Sequence, residues 1–137
     1  MDQRLSLVTL IVDDVERSRA FYVDGLGWDP EVAVDGEVLM LRVGERLALS
    51  LWDRGHAEAE IGTVSRDGSA PVTLAHNVAS EAEVDAVIAA ARSAGARILA
   101  EPQRREWGGY SGYFTDPDGF RWEVAHNPGP FGQSLLP

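Results

Sequence analysis

Apolar positions along this chain switch between two spacings. Leu5 to Val12 (L-S-L-V-T-L-I-V) is a run of apolar and β-branched residues, the pattern of a buried strand. Asp13 and Asp14 close it and can open a helix; Asp13 with Glu16 three residues on has the form of a capping box. The helix, V-E-R-S-R-A-F-Y, should stop near Gly25 or Gly27. Trp28 begins a second strand. Asp35-Gly36 marks a hairpin turn, with strands over 37–43 and 46–52 around Gly44-Glu45. Residues 54–70 show no clean period and contain three glycines, which reads as a loop or linker.

The second half starts with a strand over 71–78. Ser80-Glu81-Ala82-Glu83 is a capping box, and Val84, Val87, Ile88 and Ala91 then fall on one helical face. Gly95 ends that helix. A short strand over 96–100 leads to a loop over 102–109 that carries Arg104, Arg105 and Trp107. Strands over 110–115 and 120–126 flank Asp116-Pro117-Asp118-Gly119, with Pro and Gly placed as a type I turn prefers. The tail, 128–137, has three prolines and two glycines and reads as extended coil.

The element order is strand, helix, three strands, used twice. Ile11-Val12-Asp13-Asp14 and Asn77-Val78-Ala79-Ser80 each close a strand and open a helix, 66 residues apart. The repeat is one of pattern, since few residues match. The expected architecture is one α+β domain of two βαβββ modules. Module one is placed at about 5–53, a linker at 54–70, module two at about 71–127 and a tail at 128–137.

Composition narrows the chemistry. The chain has 137 residues, 45% of them hydrophobic, enough for one domain with a core. No apolar run is long enough for a transmembrane helix. The start, Met1-Asp2-Gln3-Arg4, lacks the basic and apolar regions of a secretory signal, so a cytoplasmic protein is expected. Cysteine is absent, which excludes disulfides, thiolate metal sites and a cysteine nucleophile. Against 22 acidic residues stand 12 basic ones, a net charge of −10. That field repels nucleic acid and anionic membrane and attracts a cationic small molecule, besides keeping the protein soluble. The motifs H-E-x-x-H, G-x-x-x-x-G-K-[ST] and G-x-S-x-G are absent.

Two segments resemble a known family. V-D-D-V-E-R-S-R-A-F-Y-V-D-G-L-G-W (12–28) is similar to the opening, and G-Y-F-T-D-P-D-G-F-R-W-E-V (112–124) to the closing hairpin, of the vicinal oxygen chelate superfamily. This is also called the glyoxalase/bleomycin-resistance/dioxygenase superfamily, and the resemblance spans roughly residues 5–127. It implies two βαβββ modules curling around a shared concave cleft, commonly in a homodimer. Members include metal-dependent isomerases, epimerases, dioxygenases and thiol transferases, and metal-free drug-binding proteins. Fold does not choose among them.

In the metal enzymes, four strands supply one ligand each. The resemblance places these positions at Leu7, Leu49, Thr73 and Glu123. Leucine binds no metal and threonine is a poor ligand, so no metal and no cofactor is expected. His76 and His126 lie three residues past Thr73 and Glu123, which alternation turns to the opposite face; His56 lies in the expected linker. If the four positions converge, they form an apolar pocket floor, flanked by Thr9 and Ala75. Tyr113 should stand opposite Glu123, with Trp107 and Tyr110 as aromatic walls.

Glu123 is either a general acid or base, an anchor for a cationic or hydrogen-bonding ligand, or a structural carboxylate paired with a nearby Arg such as Arg121 or held by a water. Trp107, on a glycine-flanked loop, either closes over a planar ligand or serves the loop itself. Trp122 alternates away from Glu123 and reads as core; Arg104 and Arg105 either guide an anionic group or are simply solvated. Two functions fit. One is a metal-free protein that binds and sequesters an aromatic natural product or antibiotic. The other is a metal-independent lyase or isomerase with Glu123 as proton shuttle and Tyr113 assisting. A second titratable group facing Glu123 separates them.

Overall fold

A computed structural model describes residues 1, 3–65, 68 and 70–137. The chain divides into two compact units, Met1–Gly68 and Ser69–Pro137. Among the described residues no helix is long and apolar enough to cross a membrane.

In the first unit the opening apolar run forms β1 (Leu7–Val12). Helix α1 (Val15–Arg19) follows and widens into a π-helical turn over Ala20–Gly25. Its N-cap is Asp14, which accepts from the Arg17 amide at 3.0 Å, one residue later than the expected Asp13. Asp13 instead pairs with Arg54. Strands β2 (Pro30–Val34), β3 (Val38–Gly44) and β4 (Leu47–Asp53) complete a sheet of order β1-β4-β3-β2. β1 runs parallel to β4 and the other pairs are antiparallel.

The pleat sorts side chains onto two faces. Leu10, Leu51 and Leu39 pair in one row, and Val8, Leu49 and Leu41 in the next. The five leucines are buried, as are Val15, Phe21 and Tyr22 of the helical segment. Phe21 and Tyr22 meet edge to face at 5.0 Å, and Tyr22 lies 5.4 Å from Trp28.

The second unit repeats this plan. β5 (Thr73–Asn77), α3 (Glu81–Ser93), β6 (Arg97–Arg104), β7 (Tyr110–Thr115) and β8 (Arg121–His126) give the order β5-β8-β7-β6, with β5 parallel to β8. The capping box ahead of α3 is formed: Ser80 Oγ accepts from the Glu83 amide, and Glu83 accepts from the Ala79 amide. Val84, Ile88 and Ala91 are buried along the predicted stripe. The βαβββ repeat therefore stands as two four-stranded mixed sheets with helices.

Four boundaries differ from the sequence reading. Residues 54–61, expected as loop or linker, form helix α2 (Arg54–Ile61). Asp53 caps it by accepting from the His56 amide at 3.0 Å. Only Ala57 is buried, so no apolar stripe marks the helix in the sequence. The linker expectation at residues 66, 67 and 69 lies outside the described residues. β6 reaches Arg104 and shortens the expected loop; two irregularities in its pairing with β7 absorb the extra length. β2 starts at Pro30 rather than Trp28. The tail contains a short helix, α4 (Pro130–Gln133), with Pro130 in its first turn.

Gly112 sets how closely α3 approaches β7. A Cβ there would stand 3.1 Å from Ile88 Cγ1 and 3.1 Å from Pro102 Cγ. Gly112→Ala should therefore destabilise the protein by about 1–3 kcal/mol, the usual cost of overpacking. A urea midpoint shifted down at unchanged slope checks this; no shift means α3 has room to recede.

Candidate functional site

The site is built on β7 and β8, and their turn decides its geometry. Asp116 is 4% exposed. Its Oδ1 accepts from the Asp118 amide at 3.0 Å and the Phe120 amide at 2.9 Å. Gly119 takes φ +88°, a value glycine adopts freely. The turn pairs Thr115 with Arg121, and register then sets Tyr113 opposite Glu123 and Ser111 opposite Ala125. The next strand over sets Ala75 beside Glu123 and Thr73 beside Arg121.

These residues share one face of the sheet. The other face carries Gly112, Phe114, Trp122 and Val124, over which α3 lies. Phe114 and Trp122 stack there at 6.3 Å, and Trp122 is core as expected. His76 and His126 also fall on that side by alternation.

On the first face Tyr113 Oη donates a hydrogen bond to Glu123 Oε1. Both residues are half-buried. The Glu123 carboxylate pushes the Tyr113 phenol up, chiefly through that hydrogen bond, and burial pushes the same way. Ser111 and Arg105 oppose the shift. Arg105 is a member of this group and is not simply solvated, the second of its two sequence readings. Its Nε donates to Ser111 Oγ at 3.0 Å, and its Nη2 donates to the Ser111 carbonyl at 2.9 Å. The guanidinium then lies 5.4 Å from the centre of the Tyr113 ring, within cation–π range. Arg121, on the same face, makes no ion pair with Glu123 among the described residues.

The other sequence candidates fall elsewhere. Tyr110 lies on the α3 side and donates to Asp85 of that helix at 2.9 Å, so it is no wall for Glu123. Alternation settles this, because Tyr110 and Tyr113 differ by an odd number of residues. Arg104 bridges to Glu81 on α3. Trp107 is half exposed, and its indole lies against Gly109, where a Cβ would come within 1.7 Å of the ring. The turn beneath it is closed by Arg105 N donating to Gly109 O at 2.8 Å. The ring is thus seated on its own turn.

In the first unit Leu7 and Thr9 share a face with Ala48, Ser50 and Trp52. Leu49 does not: it is 2% exposed and belongs to the core face. The pleat allows no other result, since Thr9 pairs with Ser50 as Ala75 pairs with Glu123. The counterpart of Glu123 is Ser50, one residue past the sequence-based register.

The metal positions can be judged from donor chemistry alone. The corresponding faces of β1, β4, β5 and β8 carry Leu7, Thr9 and Ile11; Ala48, Ser50 and Trp52; Thr73, Ala75 and Asn77; and Arg121, Glu123 and Ala125. Among these twelve positions there is one carboxylate and no imidazole. No group of three or more His, Cys, Asp or Glu able to hold a metal ion occurs among the described residues. This donor set does not fit a divalent metal.

The doubled β1-β4-β3-β2 plan and the closing hairpin agree with the comparison to known proteins. The sequence profile of the Glyoxalase/Bleomycin resistance protein/Dioxygenase superfamily matches residues 4–124. The chain belongs to this superfamily. A solved structure titled as a glyoxalase-related enzyme from Fulvimarina pelagi is 32% identical, with 93% of this chain and 90% of that one covered, at a TM-score of 0.85. A glyoxalase/bleomycin resistance protein from Albidiferax ferrireducens is 27% identical, with 90% and 98% covered, at 0.68. Lactoylglutathione lyase from Agrobacterium tumefaciens, 22% identical over 92% and 95% at 0.70, shares the fold. No curated protein matches the chain.

The hydrogen bond makes a spectroscopic prediction. The folded protein favours the neutral Tyr113 phenol, so its stabilising contribution is full below pH about 10 and is lost as pH rises through the raised folded value. Ultraviolet titration of tyrosinate should show a late-ionising component that Tyr113→Phe removes. Tyr110 also ionises late, through Asp85, and remains in that variant. Glu123→Gln should return the Tyr113 component toward the ordinary range; an unchanged curve would disprove the bond.

Trp107 gives a second test. Gly109→Ala should drive the indole off its seat, read as loss of the ring-current shifts of the turn's backbone protons. Retained shifts would mean that the ring does not occupy that position in solution.

Proposed function

We propose that this superfamily member binds a small planar organic molecule on the Glu123 face of the second unit and returns it unchanged, without a metal ion at the superfamily's ligand positions. The carrying observation is the Tyr113–Glu123 hydrogen bond on a face otherwise poor in metal donors. Glu123 supplies a fixed acceptor, Tyr113 an aromatic surface, and Thr73 and Ala75 small neighbours that leave room. Sequestration of an aromatic natural product or antibiotic, in a homodimer, is the form this reading takes.

The metal-independent lyase or isomerase is the rival. Tyr113 is a second titratable group facing Glu123, as that rival requires. Its ionisation, however, moves away from neutral pH, whereas a proton shuttle is best served by a group that titrates near it. Its proton is also already engaged with Glu123. The similar protein titled an enzyme keeps the rival in view.

Native mass spectrometry of untreated protein, with metal analysis of the same sample, tests the reading. The expected result is a dimer with substoichiometric metal and a bound organic molecule. Chelation should leave that binding intact, and Glu123→Gln should weaken it about tenfold, the scale of one hydrogen bond to a charged group. Stoichiometric metal with binding lost on chelation would overturn the metal-free reading. Recovery of the bound molecule chemically altered would shift the assignment to catalysis.

A further inference from the structure

Several arginines of this chain are held by carboxylates. Arg42 pairs with Glu31, Arg54 with Asp13, Arg92 with Glu101 and Arg104 with Glu81. Arg105 differs. It is half-buried and held in place, yet among the described residues no carboxylate pairs with it. In a chain with 22 acidic residues, an unpaired and immobilised guanidinium stands out.

Its geometry leaves one edge unused. Nε and Nη2 are spent on the Ser111 hydroxyl and carbonyl, and the flat group lies over Tyr113. The edge formed by Nη1 and the second Nη2 hydrogen has no partner among the described residues. Two parallel N–H groups on one edge match the two oxygens of a carboxylate. Arg121 adds charge on the same face. It stands two residues from Glu123, roughly 7 Å along the strand, beside the neutral Thr73 and Thr115. It too has no ion pair among the described residues.

We infer that Arg105 is a carboxylate-binding site, so that the molecule taken up on this face is an aromatic acid. The inference rests on the binding function proposed above and names the chemical class of its ligand. The acid lies on Arg105, the ring beside Tyr113, and a donor group of the ligand on Glu123 Oε2. Oε1 is already taken by Tyr113. The net charge of −10 draws cations from a distance but penalises a dianion more than a monoanion, which favours a single carboxylate over a phosphate group. Ser111 is the positioning residue, since both its polar oxygens fix the guanidinium.

The test uses the full chain and a panel of planar aromatic carboxylates, each with its neutral carboxamide and its aminomethyl counterpart. Binding is read by NMR from the amides of Arg105, Ser111, Tyr113 and Glu123. Carboxylates should bind about tenfold or more tightly than their amides, and the preference should shrink as salt rises. Arg105→Gln should abolish the preference. Arg105→Lys, which keeps charge but not the fork, should retain part of it and guards against a folding defect in the first variant. Equal or tighter binding of amides or amines would overturn the inference while leaving the binding function standing. No perturbation of this face by any member of the panel would overturn both.

Discussion

The site depends on one buried carboxylate that takes no part in binding. Asp116 accepts two backbone amides across the β7–β8 turn and so fixes where the return strand begins. Because side chains alternate with a period of two, a slip of one residue would put Glu123 on the α3 side and Trp122 in its place. That slip would bury a charge under a helix and expose a large indole. The turn therefore fixes the register, the register sets Tyr113 against Glu123, and only then can the phenol donate to the carboxylate. Gly112 favours the same choice from the other side, since a Cβ there would crowd Ile88.

The two units share a plan but not a chemistry. In each, a parallel pair of strands lies beside an antiparallel meander, and one face is packed with leucine, valine or aromatic side chains. The opposite face differs. The first unit presents Leu7, Thr9, Ser50 and Trp52 there, and the second presents Arg121, Glu123, Tyr113 and Ser111. Architecture follows from the core face, so repetition of the fold constrains those residues and leaves the other face free to diverge. Function is accordingly read from the second unit's Glu123 face and not from the fold.

The fold was legible because its signals are local: two capped helices, alternation along the strands, and a turn with aspartate, proline and glycine in their preferred places. Glu123 and its partner Tyr113 were legible too, since counting outward from the turn pairs them. Leu49 was misplaced by one residue, because an offset between halves gives the alignment of first strands but not of the strands across the hairpins, where spacings differ. Helix α2 was missed because one buried alanine leaves no stripe. Arg105 was legible only as a residue that either guides an anion or is solvated, and its contacts were not legible. Its role comes from Ser111 six residues on, across a turn whose closure by Arg105 and Gly109 no sequence pattern announces. The remaining signal was composition, since an arginine in an acidic protein normally finds a carboxylate.

A half-buried glutamate needs compensation, and the source of that compensation distinguishes this site from a metal centre. In a metal site the ion's own charge offsets the carboxylate's loss of water. Among the described residues the donor set for an ion is missing, and the carboxylate's partner is a neutral group of the chain, the phenol that donates to Oε1, with the Arg105 guanidinium over the phenol ring. A phenol engaged in this way resists ionisation, which keeps the donor in place across the whole neutral range. Such an arrangement also leaves positive charge unspent, because neither Arg105 nor Arg121 forms an ion pair with Glu123 among the described residues. The face therefore displays an acceptor and a cation side by side. That combination suits a ligand with a donor at one end and an acid at the other better than it suits a metal ion or a simple cation.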